Sequence, residues 1–585
     1  MRKIQTYFAF TVACTILSIF VYAERGVLYR VSLQQQINLS TNIIEGKVID
    51  QVCFWNAKKS LIYTVNTVEV YKSFKGNTGE QVDIITLGGT VGDHSIKVCP
   101  ELSLSNGDVG IFILKESNVD ISQTVSIGNK RFDVISESQG FYKYNLRENI
   151  VTNALSTYRQ ITENFYERIK SISKNEYIEY KKYDVDQLLL PNKPSNGRTA
   201  SINSISPVTA SAGTKTVLTI TGSGFGNSQG TVGFKDSDSG GQTFVDALNS
   251  EIVSWKDDEI KVNIPSHAGT GTVRVTDASS GTLESAEELT ITFAQLNGII
   301  ENEAFETTLI DVSGDGGYTW HMFTEFDANS QAKKSFLRAF NTWICYSKVN
   351  WVLGTTTSTD KTEVDGENVI RFDNGDELPM GVLGRCVSHE FKCDNNVAII
   401  EMDMIIDDAV NWNFGPDTPG EDEFDFESMV VHELGHGHQL AHVIDPDDIM
   451  YYGERGGDIK RELSENDKLG ADYVLSRSMS NGICSFDPIT EGVCQVVTGI
   501  DEQLTFENLI IYPNPAVSNL NIENDEFFGD LEISIFDITG KKISSRFPRV
   551  DAKKHAIDVS NLSQGVYFLG IKEEKLSYRK KFIVK

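Results

Sequence analysis

The residues best suited to chemistry lie in one short segment, HELGHGHQLAH, at positions 432–442. His432 and His436 are four residues apart, so a helix places both imidazoles on one face, where a single metal ion can bridge them. Neutral imidazole is a good zinc ligand, and two ligands from one helix require a third from outside it. His442 lies six residues beyond His436 and is the candidate third ligand. Glu433 follows the first histidine, where its carboxylate could accept a proton from a water at the open coordination position.

A helix must carry the first two histidines, and the chain must then turn back to bring in the third. The apolar pattern predicts this helix over residues 427–438, and Gly437 is a point where it can stop. His438 points away from the metal-binding face and is interpreted as a residue at the surface or behind the ligands. A lone HExxH arises by chance in roughly one such chain in a hundred. The third histidine, a methionine in DPDDIMYYG and a capped helix in LSENDKLGADYVL make coincidence negligible.

These features resemble the metzincin zinc endopeptidases, and the matrixin-like group most closely. The resemblance covers residues 298–480 and is strongest from Val397 onward. It implies that Glu433 is the catalytic base. It also implies that zinc is held by three ligands: His432, His436 and His442.

Three further positions are compared with that family. Met450 would form the Met-turn, an apolar floor beneath the metal. Tyr452 lies where some metzincins carry a tyrosine that ligates zinc or stabilises the oxyanion, and a purely structural tyrosine is the alternative. Gln439 replaces the glycine of HExxHxxGxxH, and a non-glycine residue at a positive φ costs about 1 kcal/mol or more. The turn that brings in His442 is therefore in question. Gly437 offers a turn shifted by two residues, whereas the retained spacing to Met450 favours an intact site.

The remainder of residues 298–480 mixes helix and strand, as in an α/β or α+β catalytic domain. VNWVL, NVIRF and VAIIEMDMII predict strands. SQAKKSFLRAFNTWICYSKV predicts a helix with one apolar face: Ala332, Phe336, Phe340, Trp343 and Ile344. The acidic run from Glu401 to Glu427 is a candidate calcium site, because hard cations prefer clustered carboxylates. It lacks EF-hand spacing, so a solvated acidic face is the preferred interpretation.

Two domains are predicted upstream of residue 298. Residues 24–190 contain alternating strand-like runs and then a helical tail, which predicts a β-rich N-terminal domain. An inhibitory propeptide, a targeting domain and a substrate-binding module remain open for it. Residues 191–200 are a linker with two prolines. Residues 201–294 predict an immunoglobulin-like β-sandwich, and they resemble an IPT/TIG domain through ISP at 205–207, LTITGSGFG and WKDDEIKVNIP.

The C-terminal end carries another β segment, residues 505–585, after a linker with a cysteine pair at 481–504. Its motifs YPNPA, DITG and NLSQGVY and its basic tail, residues 580–585, resemble the type A C-terminal sorting domain of the bacterial type IX secretion pathway. The resemblance implies a C-terminal β-sandwich, export across an outer membrane, and removal of this domain on arrival. A second adhesive sandwich is the alternative.

Composition and the N-terminus restrict the partners and the location. The 585 residues carry 82 acidic and 53 basic side chains, a formal charge of −29, so no basic footprint for nucleic acid or an anionic membrane exists. Residues 1–23 combine two basic residues, an apolar stretch and a small-residue cleavage site, which predicts a signal peptide. A membrane anchor is the alternative. No other stretch is long and apolar enough to span a bilayer.

Seven cysteines remain after removal of the signal peptide, and export permits disulfides. The candidate pairs are Cys386–Cys393, Cys484–Cys494 and Cys53–Cys99, and they leave Cys345 without a disulfide partner. Pairing of Cys345 with Cys386 or Cys393 is equally open, because connectivity cannot be read from sequence.

The sequence predicts a secreted zinc-dependent endopeptidase that acts on proteins or peptides and engages the type IX machinery through residues 505–585. No G-x-S-x-G motif supports a serine hydrolase. The alternative is a cell-surface adhesin or binding protein with an inactive metalloprotease-like domain. The intact Glu433 favours the enzyme, because a purely structural zinc site needs no base.

Overall fold

The structure is a computed structural model that divides into two compact units, Met1–Cys494 and Gln495–Lys585. It describes residues 28–100, 102–119, 128–189, 200–278, 281–375, 377–453, 455–494, 510–523, 529–537, 541–546, 549–550, 554–573 and 576–585. The predicted signal peptide and all but the last residue of the predicted linker 191–200 lie outside the described residues. Among those described, no helix combines the length and apolar character needed to cross a membrane.

Residues 28–189 form a closed β-barrel with additional strands. The strands are β1 (Asn42–Trp55), β2 (Ile62–Lys75), β3 (Gln81–Leu87), β4 (Gly89–Val91), β5 (His94–Cys99), β6 (Val109–Glu116), β7 (Lys130–Val134), β8 (Phe141–Asn145), β9 (Ile150–Thr152), β10 (Thr157–Arg159) and β11 (Ile178–Glu179). The helices are α1 (Leu33–Leu39), α2 (Glu167–Ser173) and α3 (Val185–Leu188). The barrel runs β1-β2-β3-β7-β6 and closes through β1 and β6. The predicted helical tail is only partly helical, because Thr157–Arg159 pairs with β9 as a strand.

Residues 201–295 form a sandwich of two sheets. The strands are β12 (Ser201–Ser206), β13 (Thr209–Ala212), β14 (Val217–Ser223), β15 (Thr231–Asp236), β16 (Phe244–Asp246), β17 (Ile252–Trp255), β18 (Glu259–Asn263), β19 (Ala268–Thr276) and β20 (Thr282–Gln295). One sheet runs β12-β14-β18-β17 and the other β13-β20-β19-β15-β16. Alternating apolar residues such as Leu218, Ile220, Val232 and Phe234 are buried between them. The predicted strand pair in WKDDEIKVNIP is confirmed as β17–β18.

Residues 297–494 combine a mixed sheet with helices. The strands are β21 (Asn297–Ile300), β22 (Glu303–Asp311), β23 (Tyr318–Met322), β24 (Trp351–Leu353), β25 (Asn368–Phe372), β26 (Gly384–Cys393), β27 (Asn396–Ile406), β28 (Trp412–Asn413), β29 (Phe424–Asp425), β30 (Leu440–Ala441) and β31 (Asp487–Pro488). The helices are α4 (Thr324–Ala328), α5 (Ser330–Ser347), α6 (Phe426–Gly437) and α7 (Glu465–Ser478). The predicted apolar face of α5 is confirmed as buried, and the Trp343 indole donates to the Val431 carbonyl oxygen at 2.8 Å, joining α5 to α6.

Two strand pairings join the three parts of this first unit. The main sheet of residues 297–494 runs β24-β23-β25-β27-β26 and continues into β5 and β4 of the N-terminal domain. Strand β5 is antiparallel to β26, with Cys99 opposite Cys386. Strand β20 of the sandwich is antiparallel to β30, with Ala294 opposite Ala441. Backbone hydrogen bonds between strands therefore connect domains that the sequence predicts as separate.

The disulfides differ from the candidate pairs. Cys345 is bonded to Cys494, and Cys393 to Cys484. Cys53, Cys99 and Cys386 are not in disulfides. The short-loop pairs were wrong because the fold brings each cysteine of the 481–494 segment against a cysteine about 90 or more residues earlier rather than against its neighbour in sequence.

The second unit is β-rich. Its strands are β32 (Ile510–Tyr512), β33 (Asn519–Glu523), β34 (Gly529–Phe536), β35 (Lys542–Arg546), β36 (Arg549–Val550), β37 (Lys554–Asp558), β38 (Gly565–Glu573) and β39 (Leu576–Val584). One sheet runs β32-β33-β37 and the other β35-β34-β38-β39. Leu520, Ile535, Leu569 and Phe582 are among the residues of their shared buried core.

Candidate metal centre

Helix α6 carries the first two histidines through the interior of the protein. It begins at Phe426, where the Asp425 carboxylate accepts a hydrogen bond from the Ser428 amide at 2.9 Å. Every residue of the helix is buried. The predicted range 427–438 therefore differs from the observed range by one residue at each end.

Three imidazoles converge beside this helix. The Nε2 atoms of His432 and His436 lie 3.0 Å apart, and those of His436 and His442 lie 3.2 Å apart. All three side chains are buried, each at most 4% exposed. The structure thus brings together the three ligands that the sequence predicts.

The Nδ1 atom of each of these three histidines lies within hydrogen-bonding distance of an acceptor oxygen. The Nδ1 atom of His432 donates to the Ile449 carbonyl oxygen at 2.7 Å, and that of His436 to the Leu440 carbonyl oxygen at 2.8 Å. The Nδ1 atom of His442 lies 2.7 Å from a carboxylate oxygen of Asp238. A neutral imidazole has one N–H, so these bonds leave three Nε2 lone pairs facing one another.

Burial keeps the imidazoles of His432 and His436 neutral. Burial, together with the neighbouring His436 and His442, lowers the pKa of His432 well below its usual value. Burial and the nearby His442 lower the pKa of His436 to about 3. Neutral imidazoles with converging lone pairs are suited to bind a cation.

Glu433 is fully buried beside this cluster, at 0% exposure. Neither carboxylate oxygen has a hydrogen-bond partner in the described structure. Burial raises its pKa well above the usual value, while the Cys386 backbone and the Arg385 charge act in the opposite direction. An unpaired buried carboxylate is costly, and such groups are retained mainly where they serve a function.

Gln439 forms the turn after α6 at the position where the family pattern has glycine. Its φ is +69°, in the left-handed region, and the helix ends at Gly437 without a shifted turn. The side-chain amide donates to Ser388 Oγ at 3.2 Å and to the His436 carbonyl oxygen at 3.3 Å. The turn suggested at Gly437 was wrong, because these bonds hold the left-handed residue in place.

His438 is not at the surface. It is 0% exposed, its Nε2 atom lies 3.0 Å from Ser347 Oγ, and its ring packs against Trp343 and Trp351. Burial lowers its pKa to about 4. His438 therefore lies behind the ligands, where it packs α6 onto α5.

Met450 lies close against α6. A Cβ atom built on Gly435 would come within 2.3 Å of the Met450 sulfur, so this approach requires a glycine. The same turn supplies the Ile449 carbonyl oxygen that accepts from His432. Tyr452 is buried nearby, and its ring packs against Gly240 of the sandwich domain.

Comparison with known families agrees with this geometry. Residues 316–474 match the family model described as Matrixin. The chain carries a matrixin domain. Residues 200–291 match the IPT/TIG domain, and residues 510–585 match the secretion system C-terminal sorting domain, which directs export by the type IX pathway to the cell surface or beyond it.

Two curated relatives are similar to the matrixin part of the chain. Metalloendoproteinase 2-MMP of Arabidopsis thaliana is 30% identical over 26% of this chain and 40% of that protein. Metalloendoproteinase 1-MMP of the same plant is 25% identical over 38% of this chain and 61% of that protein. The chain thus spans less than two thirds of either relative. A crystal structure solved with xylogluco-oligosaccharide aligns with 66% of this chain and over 60% of its own chain, at 8% sequence identity and a TM-score of 0.18.

The acidic run of the matrixin domain is a solvated face only in part. Glu401, Asp403, Asp407, Asp425 and Glu427 are buried, whereas Asp408 and the loop that carries Asp417, Glu421 and Asp422 are exposed. The prediction was wrong for the buried members because β27 lies inside the sheet and Asp425 caps α6. The structure groups His389 with Glu401 and Asp403, and Asp373 with Asp407 and Asp408. The calcium prediction remains without direct support.

Sequence reasoning missed the residues that the other two domains bring to this centre. Asp238 and His267 come from the sandwich, and Lys97, Cys99 and Pro100 come from β5 and the residue after it. All five line the same small cavity as His436 and His442. Each lies more than 160 residues from the histidine segment, so no local pattern could have indicated them.

Proposed function

We propose that this protein is a secreted zinc-dependent endopeptidase with His432, His436 and His442 as ligands and Glu433 as general base. The observation that carries the proposal is the convergence of three Nε2 lone pairs beside an unpaired, fully buried carboxylate. The donor set fits zinc, which takes three neutral imidazoles and keeps one position open in catalytic sites. The matrixin domain supports the same class of activity.

The residues would share the chemistry as follows. When bound, zinc supplies Lewis acidity at its open position. Glu433 accepts the proton of the attacking water and passes it to the leaving amine. Its oxygens are available for this because neither has a hydrogen-bond partner at bonding distance among the described residues. Tyr452 would either stabilise negative charge on the carbonyl oxygen of the substrate or serve a purely structural role, with its ring against Gly240.

The N-terminal domain would inhibit this activity in the intact chain. Strand β5 pairs antiparallel with six residues of β26, the strand at the edge of the catalytic sheet. An extended substrate binds most simply by adding to such an edge. Cys99 and Pro100, at the end of β5, line the cavity beside His436 and His442. A peptide substrate therefore cannot use this edge until β5 leaves it.

The test of catalysis is hydrolysis of an unfolded protein substrate by the exported chain, with the N-terminal domain removed by limited proteolysis. We expect Glu433→Gln to retain zinc but lose hydrolysis at least a hundredfold, since general base catalysis contributes about 10²–10⁴-fold. Glu465→Gln, an exposed substitution on α7, is the matched control and should leave the rate unchanged. Full hydrolysis by Glu433→Gln would reject the assignment of the base.

The test of inhibition compares the intact chain with the processed one. We expect hydrolysis to rise when the segment before residue 200 is cut and released. Equal activity before and after release would contradict an inhibitory role for β5. Zinc binding without hydrolysis in either form would favour the alternative of a surface binding protein.

A further inference from the structure

The third ligand is oriented differently from the first two. The Nδ1 atoms of His432 and His436 donate to backbone carbonyl oxygens within the matrixin domain. The Nδ1 atom of His442 donates instead to Oδ1 of Asp238, at 2.7 Å. Asp238 belongs to the sandwich domain, 204 residues earlier in the chain.

The sandwich holds Asp238 in a fixed position. Asp238 lies in a short helical turn after β15, where its backbone amide donates to the Asp236 carboxylate at 3.1 Å. Gly240 ends the turn with a φ of +58° and packs against the ring of Tyr452. The pairing of β20 with β30 fixes the sandwich against the segment that carries His442. The backbone position of Asp238 is therefore fixed relative to the segment that carries His442.

A second histidine holds the other oxygen of this carboxylate. The Nδ1 atom of His267 donates to Asp238 Oδ2 at 2.7 Å. The Nε2 atom of His267 lies 3.4 Å from the Lys97 ammonium, which can only donate, so Nε2 accepts and Nδ1 carries the proton. Lys97, His267, Asp238 and His442 thus form one chain of hydrogen bonds through three domains.

We propose that Asp238 is a positioning residue for the metal centre, so that the immunoglobulin-like domain completes a site in the matrixin domain. A carboxylate that accepts from the distal nitrogen of a ligating histidine fixes its tautomer and ring orientation and raises its basicity. Loss of such a partner usually lowers metal affinity 10- to 100-fold. Asp238 itself touches neither the metal position nor a substrate.

The inference rests on the proposed zinc site, and the experiment separates the two. Zinc affinity of the full chain is measured by competition with a chromogenic chelator at fixed pH. We expect Asp238→Ala to bind zinc 10- to 100-fold more weakly and Asp238→Asn to fall between it and the parent, because the amide still offers an oxygen acceptor. Asp246→Asn removes a carboxylate from the same domain that pairs with Arg274 at 3.0 Å, away from the histidines, and should bind like the parent.

A spectroscopic readout tests orientation independently of activity. The visible absorption of the cobalt(II)-substituted chain reports ligand geometry, and we expect it to change in both Asp238 variants but not in Asp246→Asn. Thermal unfolding of the metal-free proteins shows whether a variant folds. His267→Gln, which leaves Asp238 in place, should give a smaller loss of affinity and serves if Asp238→Ala does not fold.

The outcomes are distinct. If the parent binds no zinc, the proposed function itself is wrong. If the parent binds zinc and the Asp238 variants match it within threefold with the same cobalt spectrum, only the role of Asp238 is rejected. Weaker zinc binding with unchanged metal-free stability supports it. An equal loss of affinity in Asp246→Asn would also reject it.

Discussion

Gln439 combines a strained backbone with compensating side-chain bonds. Its φ of +69° costs a non-glycine residue about 1–2 kcal/mol, while its buried amide donates to Ser388 and to backbone carbonyl oxygens of α6. The position explains how a chain without the family's glycine can keep the turn to His442. It also shows that a mismatch to the family pattern at this turn need not displace His442 from the other two histidines.

Two substitutions of Gln439 separate the effect of the left-handed backbone from that of the side-chain hydrogen bonds. We expect Gln439→Ala to be less stable than Gln439→Gly by about 1 kcal/mol, because both lose the amide but only alanine keeps the left-handed strain. Gln439→Gly should lie within about 1 kcal/mol of the parent, since relief of strain opposes the lost hydrogen bonds. Denaturant unfolding measures both. Equal stability of the alanine and glycine variants would contradict a left-handed residue 439.

Glu251 gives the sandwich a pH-dependent stability. It is 6% exposed, its carboxylate accepts from the Leu248 amide at 2.7 Å, and burial raises its pKa to about 7. The native state therefore keeps a proton that the unfolded state, with a pKa near 4.5, releases. Because the native state binds more protons over this range, the free energy of unfolding falls as the pH rises from about 4.5 to 7.

Glu251→Gln removes this titration while it keeps an oxygen acceptor for the Leu248 amide. We expect its stability relative to the parent to increase by about 2 kcal/mol between pH 5 and pH 8, at 1.36 kcal/mol per pKa unit. Denaturant unfolding at several pH values measures the difference, and the pH 5 value is the internal reference. A difference that does not vary with pH would contradict the raised pKa.

At the scale of elements, helix α6 and the turn at Met450 make close contact at Gly435. The Met450 sulfur and the Trp343 ring occupy the space into which a side chain at Gly435 would extend. Gly437, two residues later on the same helix, has no atom within 3.7 Å of an added Cβ. An added methyl group would thus clash at Gly435 but would make ordinary van der Waals contact with Trp351 and Met402 at Gly437.

The same substitution at these two glycines should have opposite effects. We expect Gly435→Ala to destabilise the protein by about 1–3 kcal/mol, because overpacking separates the helix from the turn. Gly437→Ala should be neutral or stabilise by up to about 1 kcal/mol through helix propensity. Unfolding free energies of the two variants give the comparison. A stable Gly435→Ala would mean that Met450 does not hold α6.

Local sequence patterns predicted those elements whose cause is local. The apolar period of α5, the extent of α6 and the cap of α7, where Ser464 and Asp467 bond reciprocally, all appear as expected. The pairing of β5 with β26 did not follow from sequence, because strand register across almost 300 residues has no local signal. Asp238 was missed for the same reason. The disulfides also depend on distant packing, so spacing gave the wrong pairs.

At the scale of the whole molecule, two disulfides tie the end of the first unit to the matrixin domain. Cys494, its last residue, is bonded to Cys345 near the end of α5. Cys484 is bonded to Cys393 at the β26–β27 turn. The 481–494 segment is therefore bonded to this domain near its start, at Cys484, and at its end, at Cys494.

Removal of the longer link should loosen the unit. We expect the double variant Cys345→Ser, Cys494→Ser to lose about 2–4 kcal/mol of stability, because the bond closes a loop with a sequence separation of 149. Guanidinium unfolding followed by tryptophan fluorescence measures this. Cys53→Ser changes a cysteine outside the disulfides and is the control. A double variant as stable as that control would contradict a structural role for the bond.

The pairing of β20 with β30 also bears on how such a chain can evolve. Ala294 and Gln295, at the end of the sandwich, pair with Ala441 and Leu440, which lie just before His442. The Leu296 amide extends this ladder to the Gln439 carbonyl oxygen at 2.9 Å. Recombination that replaced the immunoglobulin-like domain alone would lose these hydrogen bonds. The immunoglobulin-like domain and the matrixin domain are therefore expected to be inherited together.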